Sequence, residues 1–250
     1  MECLVMLPCY NEEENLKSLI HNIDETLRHS INYKIIAVND GSRDHTGDIL
    51  KELSNEYPII ITEHKTNKGL SKALHTGLKT ALQYSSDEDF IITMDSDNTH
   101  DPKHILHMLR VARHGADIVI GSRYVPYGKQ TNVSPHRIFL SKSINLIIRK
   151  IARLPVKDAT SGYRCFRASV LRKLEKTLGQ KFLESKGFEA SFELLAKTFW
   201  CCSNVKEIPI TLDYSKKKGK SKMRLMPTIK RYGITLMKIK KWRKKLEVNP

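Results

Sequence analysis

Acidic side chains follow two apolar runs at the point where each run ends. Asp40 follows the run 34–39, and Asp95 and Asp97 follow the run 90–94. If these runs are parallel strands of one sheet, their carboxyl ends meet at a shared edge, which is where ligands bind in open α/β sheets. The three carboxylates would then converge. Their mutual repulsion indicates a cation or a polar ligand between them.

Two carboxylates one residue apart suit a divalent cation. Asp97 can reach the ion while Asp95 faces the ion's water ligands or a sugar hydroxyl. Mg²⁺ in proteins takes one or two carboxylates together with phosphate oxygens, so the pair predicts a diphosphate ligand. The spacing alone leaves a second interpretation open, in which the motif caps a helix that begins near Pro102, because Asp is common at helix starts.

The chain around these motifs alternates between two kinds of hydrophobic pattern, one typical of strands and one typical of helices. Short runs rich in β-branched residues alternate with stretches of helical period, which predicts an α/β fold with a mostly parallel sheet flanked by helices. Residues typical of helix starts precede three of the helices: Asn11, Asp44 and Asp101. The predicted strands are residues 2–7, 34–39, 59–63, 90–94 and 117–121, and the predicted helices are residues 12–28, 46–56, 69–84 and 102–113.

The pattern changes after Ser122. A proline- and glycine-containing loop comes first, and the rest of the chain contains no repeat and no low-complexity linker that would divide it. The predicted elements, in order, are a helix at 136–153, the segment 158–167, two further helices, a strand at 204–213, a basic loop from 214 and a helix at about 226–246.

The net charge of +16 is unevenly distributed. Residues 216–245 contain 14 of the 43 lysines and arginines and no acidic residue, which leaves 29 basic against 27 acidic residues elsewhere. A basic segment of this kind favours a polyanionic partner, either an acidic membrane surface or a nucleic acid.

Composition narrows the class of protein. A hydrophobic fraction of 40% and a charged fraction of 28% are typical of globular proteins and argue against a disordered chain. No run of about 18 apolar residues is free of charge, so no membrane-spanning helix is predicted. The five cysteines lack CxxC spacing and no signal peptide is recognisable, which predicts reduced thiols and a cytoplasmic location.

Six segments, in their order and spacing, resemble one enzyme family. They are "LPCYNEEENL", "VNDGSRDHT", "NKGLSKALHTGL", "MDSDNTHDP", "GSRY" and "DATSGYRCFR". Over residues 3–223 they resemble the inverting family 2 glycosyltransferases of the Rossmann-like GT-A fold, in particular the dolichol-phosphate mannose synthases and related polyprenyl-phosphate glycosyltransferases. The resemblance implies a GT-A domain at 1–215, with a nucleotide-sugar-binding half at 1–121 and an acceptor half at 122–215. A basic loop and amphipathic helix would follow at 216–250.

The same resemblance assigns residues to the donor nucleotide-sugar. Asp95 and Asp97 match the family's D-x-D pair, which handles the donor and a divalent metal, Mg²⁺ or Mn²⁺. Many members have Gln two residues further on as another metal ligand. Here Thr99 stands at that position, so either its hydroxyl ligates the metal or water takes the place. The implied contacts to base and ribose are Pro8, Tyr10, Glu12 and Asp40.

Other matching residues are implied on the acceptor side. Arg123, Arg137 and Ser141 match residues that hold the phosphate of a polyprenyl or dolichyl lipid, and the guanidinium fork suits phosphate oxygens. Arg137 alone would also fit a solvated helix position. Asp158 and Arg164 lie in the segment that the family places beside the sugar and the acceptor, where Asp158 acts as a base or as a positioning group.

Five further polar residues have a spacing that allows more than one interpretation. Glu189 and Glu193 share one helix face and either touch the sugar, pack or face solvent. His100, His104 and His107 invite a zinc site, but no matching Cys or carboxylate set accompanies them, so an exposed helix that carries His104 and His107 is favoured.

The implied reaction is a single in-line displacement that transfers a sugar from GDP-mannose or a UDP-sugar to a polyprenyl or dolichyl phosphate at the cytoplasmic membrane face, with inversion. The alternatives are a family 2 transferase with a saccharide acceptor, a catalytically silent donor-binding scaffold, and a nucleic-acid-binding protein that relies on the basic tail. The last leaves the acidic edge unexplained, so no nucleic-acid partner is predicted.

The C-terminal helix carries an apolar stripe. Its apolar residues are three or four positions apart, and Lys and Arg occupy the other face. This pattern predicts a helix that lies in a membrane interface, and hence a peripheral membrane protein. The alternative is that the stripe docks on the protein's own body or on a membrane-anchoring partner. The stripe consists of Ile229, Tyr232, Leu236, Ile239, Trp242 and Leu246.

Overall fold

A computed structural model describes residues 1–201, 204–219 and 225–247, without the side chains of residues 180, 225, 226 and 247. In these ranges the strands form a seven-stranded sheet and a two-stranded ribbon. The strands are β1 (Cys3–Cys9), β2 (Tyr33–Asn39), β3 (Ile59–Glu63), β4 (Phe90–Thr93), β5 (Ile118–Ser122), β6 (Lys129–Thr131), β7 (Arg164–Arg167), β8 (Val205–Pro209) and β9 (Thr211–Asp213).

The large sheet has the order β3-β2-β1-β4-β7-β5-β8. All neighbouring strands are parallel except β7, which runs antiparallel to both β4 and β5. The ribbon pairs β6 with β9 in parallel. The prediction of a mostly parallel α/β sheet is therefore confirmed.

Helices cover both faces of the sheet. They are α1 (Leu16–Leu27), α2 (Thr46–Leu53), α3 (Leu70–Gln83), α4 (His104–Arg113), α5 (Pro135–Ala152), α6 (Ala168–Leu178), α7 (Glu189–Cys201) and α8 (Leu225–Glu247).

Strand alternation divides the core into two layers. Leu4 and Met6 of β1 face one layer with α3, α6, α7 and α8, while Val5 and Leu7 face the other with α1, α2 and α4. Gly77 brings α3 close to the sheet, since a Cβ there would lie 2.6 Å from Met6 Cγ. Two buried faces explain why these strands are almost wholly apolar.

The predicted strands of the first half are all present. Helix α2 begins at Thr46 as predicted, whereas α1, α3 and α4 begin one to four residues later than expected. Helix α1 begins at Leu16 and not at residue 12, because Asn11 has a φ of 51° and the next residues form a turn. Asp44 and Asp101 lie near helix starts as expected, and each accepts a hydrogen bond from a backbone N–H two residues on, at 3.0 and 3.1 Å.

Two features of the second half differ from the prediction. The single strand expected at 204–213 is two strands, because the chain leaves the large sheet after β8 and β9 pairs with β6 instead. Strand β7 was not predicted from sequence at all. It lies inside the sheet, but its sequence RCFR has an arginine at each end and does not form the apolar run by which the other strands were recognised.

The apolar stripe of α8 packs against the protein itself. Tyr232, Ile239, Trp242 and Leu246 are buried in the core layer that contains α7, and Leu236 is partly buried against it. The prediction that this stripe lies in a membrane interface is wrong, and the docking alternative is correct for the protein's own body. The stripe is buried because α7 offers an apolar face, and α8 packs on it.

Candidate active site

A cavity of about 480 Å³ opens at the carboxyl ends of β1, β2 and β4. Among the predicted site residues, Asp158 and Arg164 do not line it. The cavity brings together all the others: Pro8, Tyr10, Glu12, Asp40, Asp95, Asp97, Thr99, Arg123, Arg137 and Ser141.

Asp40 is held by the turn that leads into α3. Its Oδ1 accepts hydrogen bonds from His64 Nδ1 at 2.6 Å and from the Lys68 N–H at 2.9 Å, and its Oδ2 accepts from the Gly69 N–H at 2.8 Å. His64 is fixed in turn, since its Nε2 lies 2.9 Å from Thr76 Oγ1. The buried carboxylate therefore sets the position of the loop at this end of the cavity.

Glu12 occupies the turn after β1. Its side chain accepts a hydrogen bond from Asn15 Nδ2 at 2.8 Å, and its backbone N–H donates to Thr46 Oγ1 at 2.8 Å. The turn is thus joined to the start of α2. This places a carboxylate on the cavity wall near the end of β2.

The two carboxylates of the D-x-D pair have different surroundings. Asp97 Oδ1 accepts the Thr99 hydroxyl at 2.6 Å, and its Oδ2 accepts Lys217 Nζ at 2.6 Å. Burial opposes ionisation of Asp97, but the charge and hydrogen bond of Lys217 dominate and lower its pKa. Burial raises the pKa of Asp95, although His100 opposes the shift. Lys217 contacts Asp97 directly, whereas Lys217 and Arg123 act on Asp95 only through their charge.

Thr99 donates two hydrogen bonds to Asp97 Oδ1. One comes from its hydroxyl, and the other comes from its backbone N–H at 3.2 Å. His100 accepts a hydrogen bond from the Asp95 N–H on Nδ1 at 3.1 Å and stacks on Tyr163 with ring centroids 4.7 Å apart. Both residues brace the D-x-D turn. Direct ligation of a metal by Thr99 stays a prediction.

The oxygen donors at this turn fit a hard divalent cation. An ammonium group already lies 2.6 Å from Asp97, which shows that the site accommodates positive charge. No group of three or more His, Cys, Asp or Glu in the described ranges is arranged to hold a metal. A cation held by Asp95 and Asp97 would therefore take its remaining ligands from diphosphate oxygens and water.

Arg123 and Asp158 form a buried ion pair. Asp158 has no exposed surface and accepts hydrogen bonds from the Arg123 N–H, Nε and Nη2 at 3.0, 2.7 and 2.7 Å. Burial opposes ionisation of both side chains, but their mutual charge and hydrogen bonds dominate. They lower the pKa of Asp158 and raise the pKa of Arg123. Asp158 lies beneath the arginine that lines the cavity.

The start of α5 forms the opposite wall. Arg137 is exposed and lines the cavity, and Ser141 follows one turn later. Tyr124 donates its hydroxyl to Ser141 Oγ at 2.7 Å, and Asn145 Nδ2 contacts Thr160 Oγ1 at 2.8 Å. The first bond ties α5 to the loop after β5, and the second ties it to the segment that carries Asp158.

Arg164 lies behind the cavity, where it joins β7 to α7. It donates from Nη2 to the Ala159 carbonyl at 2.8 Å and from Nη1 to the Ser191 carbonyl. Burial lowers its pKa to about 10. The structure does not bring this side chain to the wall of the cavity.

Glu189 and Glu193 support a turn. Glu193 is buried, accepts the N–H groups of Glu184 and Ser185 at 2.9 and 2.7 Å, and contacts Lys197. Glu189 accepts the N–H groups of residues 186 and 187 at 3.0 and 3.1 Å. Residues 186–188 line the cavity, so both glutamates shape its wall from behind.

Two side chains that contact the carboxylates of the site, those of His64 and Lys217, were not identified in the sequence analysis. His64 directly follows β3, whose carboxyl end lies at the same edge as those of β1 and β2, and this position was the available signal. Lys217 lies in a run of lysines, and nothing in the sequence distinguishes it from its neighbours.

Comparison with known proteins identifies the family. The profile described as glycosyl transferase family 2 matches residues 4–175. This chain belongs to glycosyl transferase family 2. The family 2 transferase is 35% identical over 246 residues to a dolichol-phosphate mannosyltransferase of Pyrococcus furiosus, a match that covers 97% of this chain and 64% of that protein. The chain thus spans less than two thirds of that relative's length.

Two bacterial relatives are matched over most of their length. The polyprenol monophosphomannose synthase of Mycolicibacterium smegmatis is 33% identical, with 92% of this chain and 86% of that protein covered. The undecaprenyl-phosphate mannosyltransferase of Micrococcus luteus is also 33% identical, with 89% and 88% covered. All three relatives are named as mannosyltransferases or mannose synthases of dolichol phosphate, polyprenol or undecaprenyl phosphate.

Solved structures share the GT-A fold. Glucosyl-3-phosphoglycerate synthase from Mycobacterium tuberculosis, in complex with Mn²⁺, uridine diphosphate and phosphoglyceric acid, superposes with a TM-score of 0.66 at 14% identity, covering 97% of this chain and 78% of that one. TarS of S. aureus in complex with UDP-GlcNAc superposes with a TM-score of 0.63 at 16% identity, covering 96% of this chain and 66% of that one.

Within the described ranges, no helix of this protein combines the length and apolar character needed to cross a membrane.

Proposed function

We propose that this family 2 glycosyltransferase transfers mannose from a nucleoside diphosphate sugar, with GDP-mannose as the first candidate, to a polyprenyl or dolichyl phosphate, with inversion at the anomeric carbon. One observation carries the proposal: the D-x-D pair and the arginines Arg123 and Arg137 line a single cavity. The three mannosyltransferase relatives support the choice of sugar and acceptor.

The residues divide the reaction between two walls. Asp95 and Asp97 would hold a divalent cation, Mg²⁺ or Mn²⁺, which when bound supplies positive charge for the departing diphosphate. Arg123, Arg137 and Ser141 hold and orient the acceptor phosphate. A phosphate oxygen forms the new bond to the anomeric carbon as the bond from that carbon to the diphosphate breaks. A single displacement of this kind inverts the configuration.

Asp158 acts as a positioning residue in this scheme. A phosphate monoester is largely ionised near pH 7, so the acceptor needs no strong base. Asp158 accepts three hydrogen bonds from Arg123. Its role in this scheme is therefore to hold the guanidinium at the cavity wall.

The lipid acceptor suggests a membrane surface beside α5. The outward face of this helix exposes Phe139 (74%), Ile147 and Ile151 (51% each) among basic residues, and the helix contains no acidic residue. The outward face of α8 adds Met237, which is 76% exposed, among several lysines. Apolar and cationic side chains on one surface fit an anionic lipid leaflet. We place this surface on the cytoplasmic face of a membrane.

A transfer assay tests the reaction. The protein is incubated with Mg²⁺ or Mn²⁺, a polyprenyl phosphate and labelled GDP-mannose, UDP-glucose or UDP-GlcNAc, and the organic-extractable label is counted. We expect label from GDP-mannose, abolished by Asp97→Asn. Arg137→Gln should raise the KM for lipid phosphate by at least tenfold and leave the KM for donor unchanged, whereas Arg153→Gln, just beyond α5, should change neither.

Three outcomes contradict the proposal. Label that enters a water-soluble saccharide indicates a saccharide acceptor. Donor binding without any transfer indicates a silent scaffold. An unchanged lipid-phosphate KM in the Arg137 variant removes the acceptor assignment.

Vesicle sedimentation tests the membrane surface. Phe139→Glu should reduce binding to vesicles that contain anionic lipid, whereas Tyr84→Glu, at an exposed aromatic residue after α3, should not. Equal binding by both variants refutes the assignment of α5. Binding that depends on a second membrane protein points instead to a membrane-anchoring partner.

A further inference from the structure

A strap of the chain lies across the acidic side of the cavity. We use this name for residues 214–219, which follow β9. Lys216 contacts Asp101 at 3.3 Å, and the Lys218 N–H donates to Asn15 Oδ1 at 3.2 Å. Asn15 Nδ2 also donates to the Lys218 carbonyl at 3.3 Å. The strap is therefore fixed on both sides of Lys217.

Lys217 is directed from the strap to Asp97. Its Nζ donates to Asp97 Oδ2 at 2.6 Å, and the two side chains are only 18% and 13% exposed. A pair shielded to this extent is screened less by salt than a surface pair. Of the four contacts named for the strap, this is the one that reaches the D-x-D pair.

The position of Lys217 conflicts with a divalent cation on the same carboxylate. A Mg²⁺ ion would bind a carboxylate oxygen at about 2.1 Å, which puts it within about 5 Å of an ammonium group on that carboxylate. Like charges that close repel strongly in a partly buried site. Thr99 already donates two hydrogen bonds to the other oxygen of Asp97.

We propose that Lys217 is a built-in counter-cation for Asp97 that makes metal binding conditional on the nucleotide donor. Without donor, the ammonium neutralises Asp97, and Asp95 is the carboxylate of the pair that remains for a metal. A diphosphate brings further oxygen ligands and negative charge, so the metal then displaces Lys217. This inference rests on the proposed function, in which Asp97 is the metal-binding carboxylate.

Release of Lys217 also frees the middle of the strap. The residues on either side stay tied to Asp101 and Asn15, so the ammonium moves only a short way and remains beside the cavity. Donor and metal are therefore expected to bind in a mutually dependent way. Such coupling is reciprocal for binding free energies.

Mn²⁺ binding, followed by electron paramagnetic resonance of the free ion, tests the proposal without turnover. The proteins are the wild type, Lys217→Gln, Lys218→Gln and Asp97→Asn, each with and without GDP. Lys218→Gln is the matched control, because Lys218 holds the strap through its backbone and its side chain is exposed. Circular dichroism confirms that each variant is folded.

We expect Lys217→Gln to bind Mn²⁺ alone about tenfold more tightly than wild type, which corresponds to about 1.4 kcal/mol. The difference should shrink when GDP is present, and Lys218→Gln should behave as wild type. Equal or weaker Mn²⁺ binding by Lys217→Gln, with Asp97→Asn still abolishing it, overturns the counter-cation proposal and leaves the metal site standing. Unchanged Mn²⁺ binding by Asp97→Asn overturns the metal site itself.

Discussion

The substitution Asp158→Asn tests how much the ion pair between Asp158 and Arg123 contributes to stability and to acceptor binding. The change removes one charge at nearly constant volume and leaves the Arg123 guanidinium buried without its partner. The new amide nitrogen would also face a donor of Arg123. Removing one member of a buried ion pair typically costs about 3–5 kcal/mol. That is a large share of the roughly 5–15 kcal/mol that keeps a domain folded.

Urea unfolding measures this loss, and the double variant Arg123→Gln/Asp158→Asn serves as its control. We expect the double variant to regain much of the stability, because no buried charge is then left unpaired. Steady-state kinetics of Asp158→Asn should show a raised KM for lipid phosphate, because the guanidinium is no longer held at the cavity wall. Wild-type stability and an unchanged lipid KM together with a strongly reduced kcat would show that Asp158 acts on the reaction itself.

The same pair predicts a dependence of stability on pH. Arg123 lowers the folded-state pKa of Asp158 below its unfolded value of about 3.9. The stabilisation is therefore complete above about pH 4 and is lost as the pH falls through the lower, folded-state pKa. Asp158→Asn should show a flatter loss of stability below pH 4 than wild type does.

Three further substitutions probe the supports of the cavity and the core by urea unfolding. His64→Leu should cost about 1–3 kcal/mol because Asp40 loses a buried donor, and His64→Gln should restore part of it. Gly77→Ala should cost about 1–3 kcal/mol by overpacking against a methionine side chain of β1. Trp242→Ala should cost about 3–5 kcal/mol by detaching α8, whereas exposed Lys241→Ala should change stability by less than about 0.5 kcal/mol. Equal losses for Trp242→Ala and Lys241→Ala would show that α8 is not held by its buried stripe.

The sheet edge was predictable because it follows from local patterns. Apolar runs of strand length located β1, β2 and β4, and the rule that parallel strands end at one edge brought Asp40, Asp95 and Asp97 to one cavity. The acceptor side rested on matched motifs, because nothing in a single Arg distinguishes a phosphate ligand from a solvated helix residue.

The errors arose where tertiary contacts decide the outcome. An amphipathic stripe such as that of α8 has the same period whether it covers a membrane or a neighbouring helix, and only the face of α7 distinguishes the two. Buried Lys197, which lies 4.3 Å above the Trp242 ring and bonds the Phe182 carbonyl at 3.3 Å, helps to form that face. Its burial was invisible in the sequence, because Lys is almost never fully buried.

Strand β7 has a consequence for how the chain reaches its native state. It pairs with β4 and β5, so a segment from the second half of the chain closes the middle of a sheet begun by the first half. A nascent chain that has emerged only as far as β5 exposes the edge of β4, and open edges of this kind promote aggregation. Synthesis must therefore pass Arg167 before the sheet can close, and a fragment that ends at residue 121 is not expected to fold by itself.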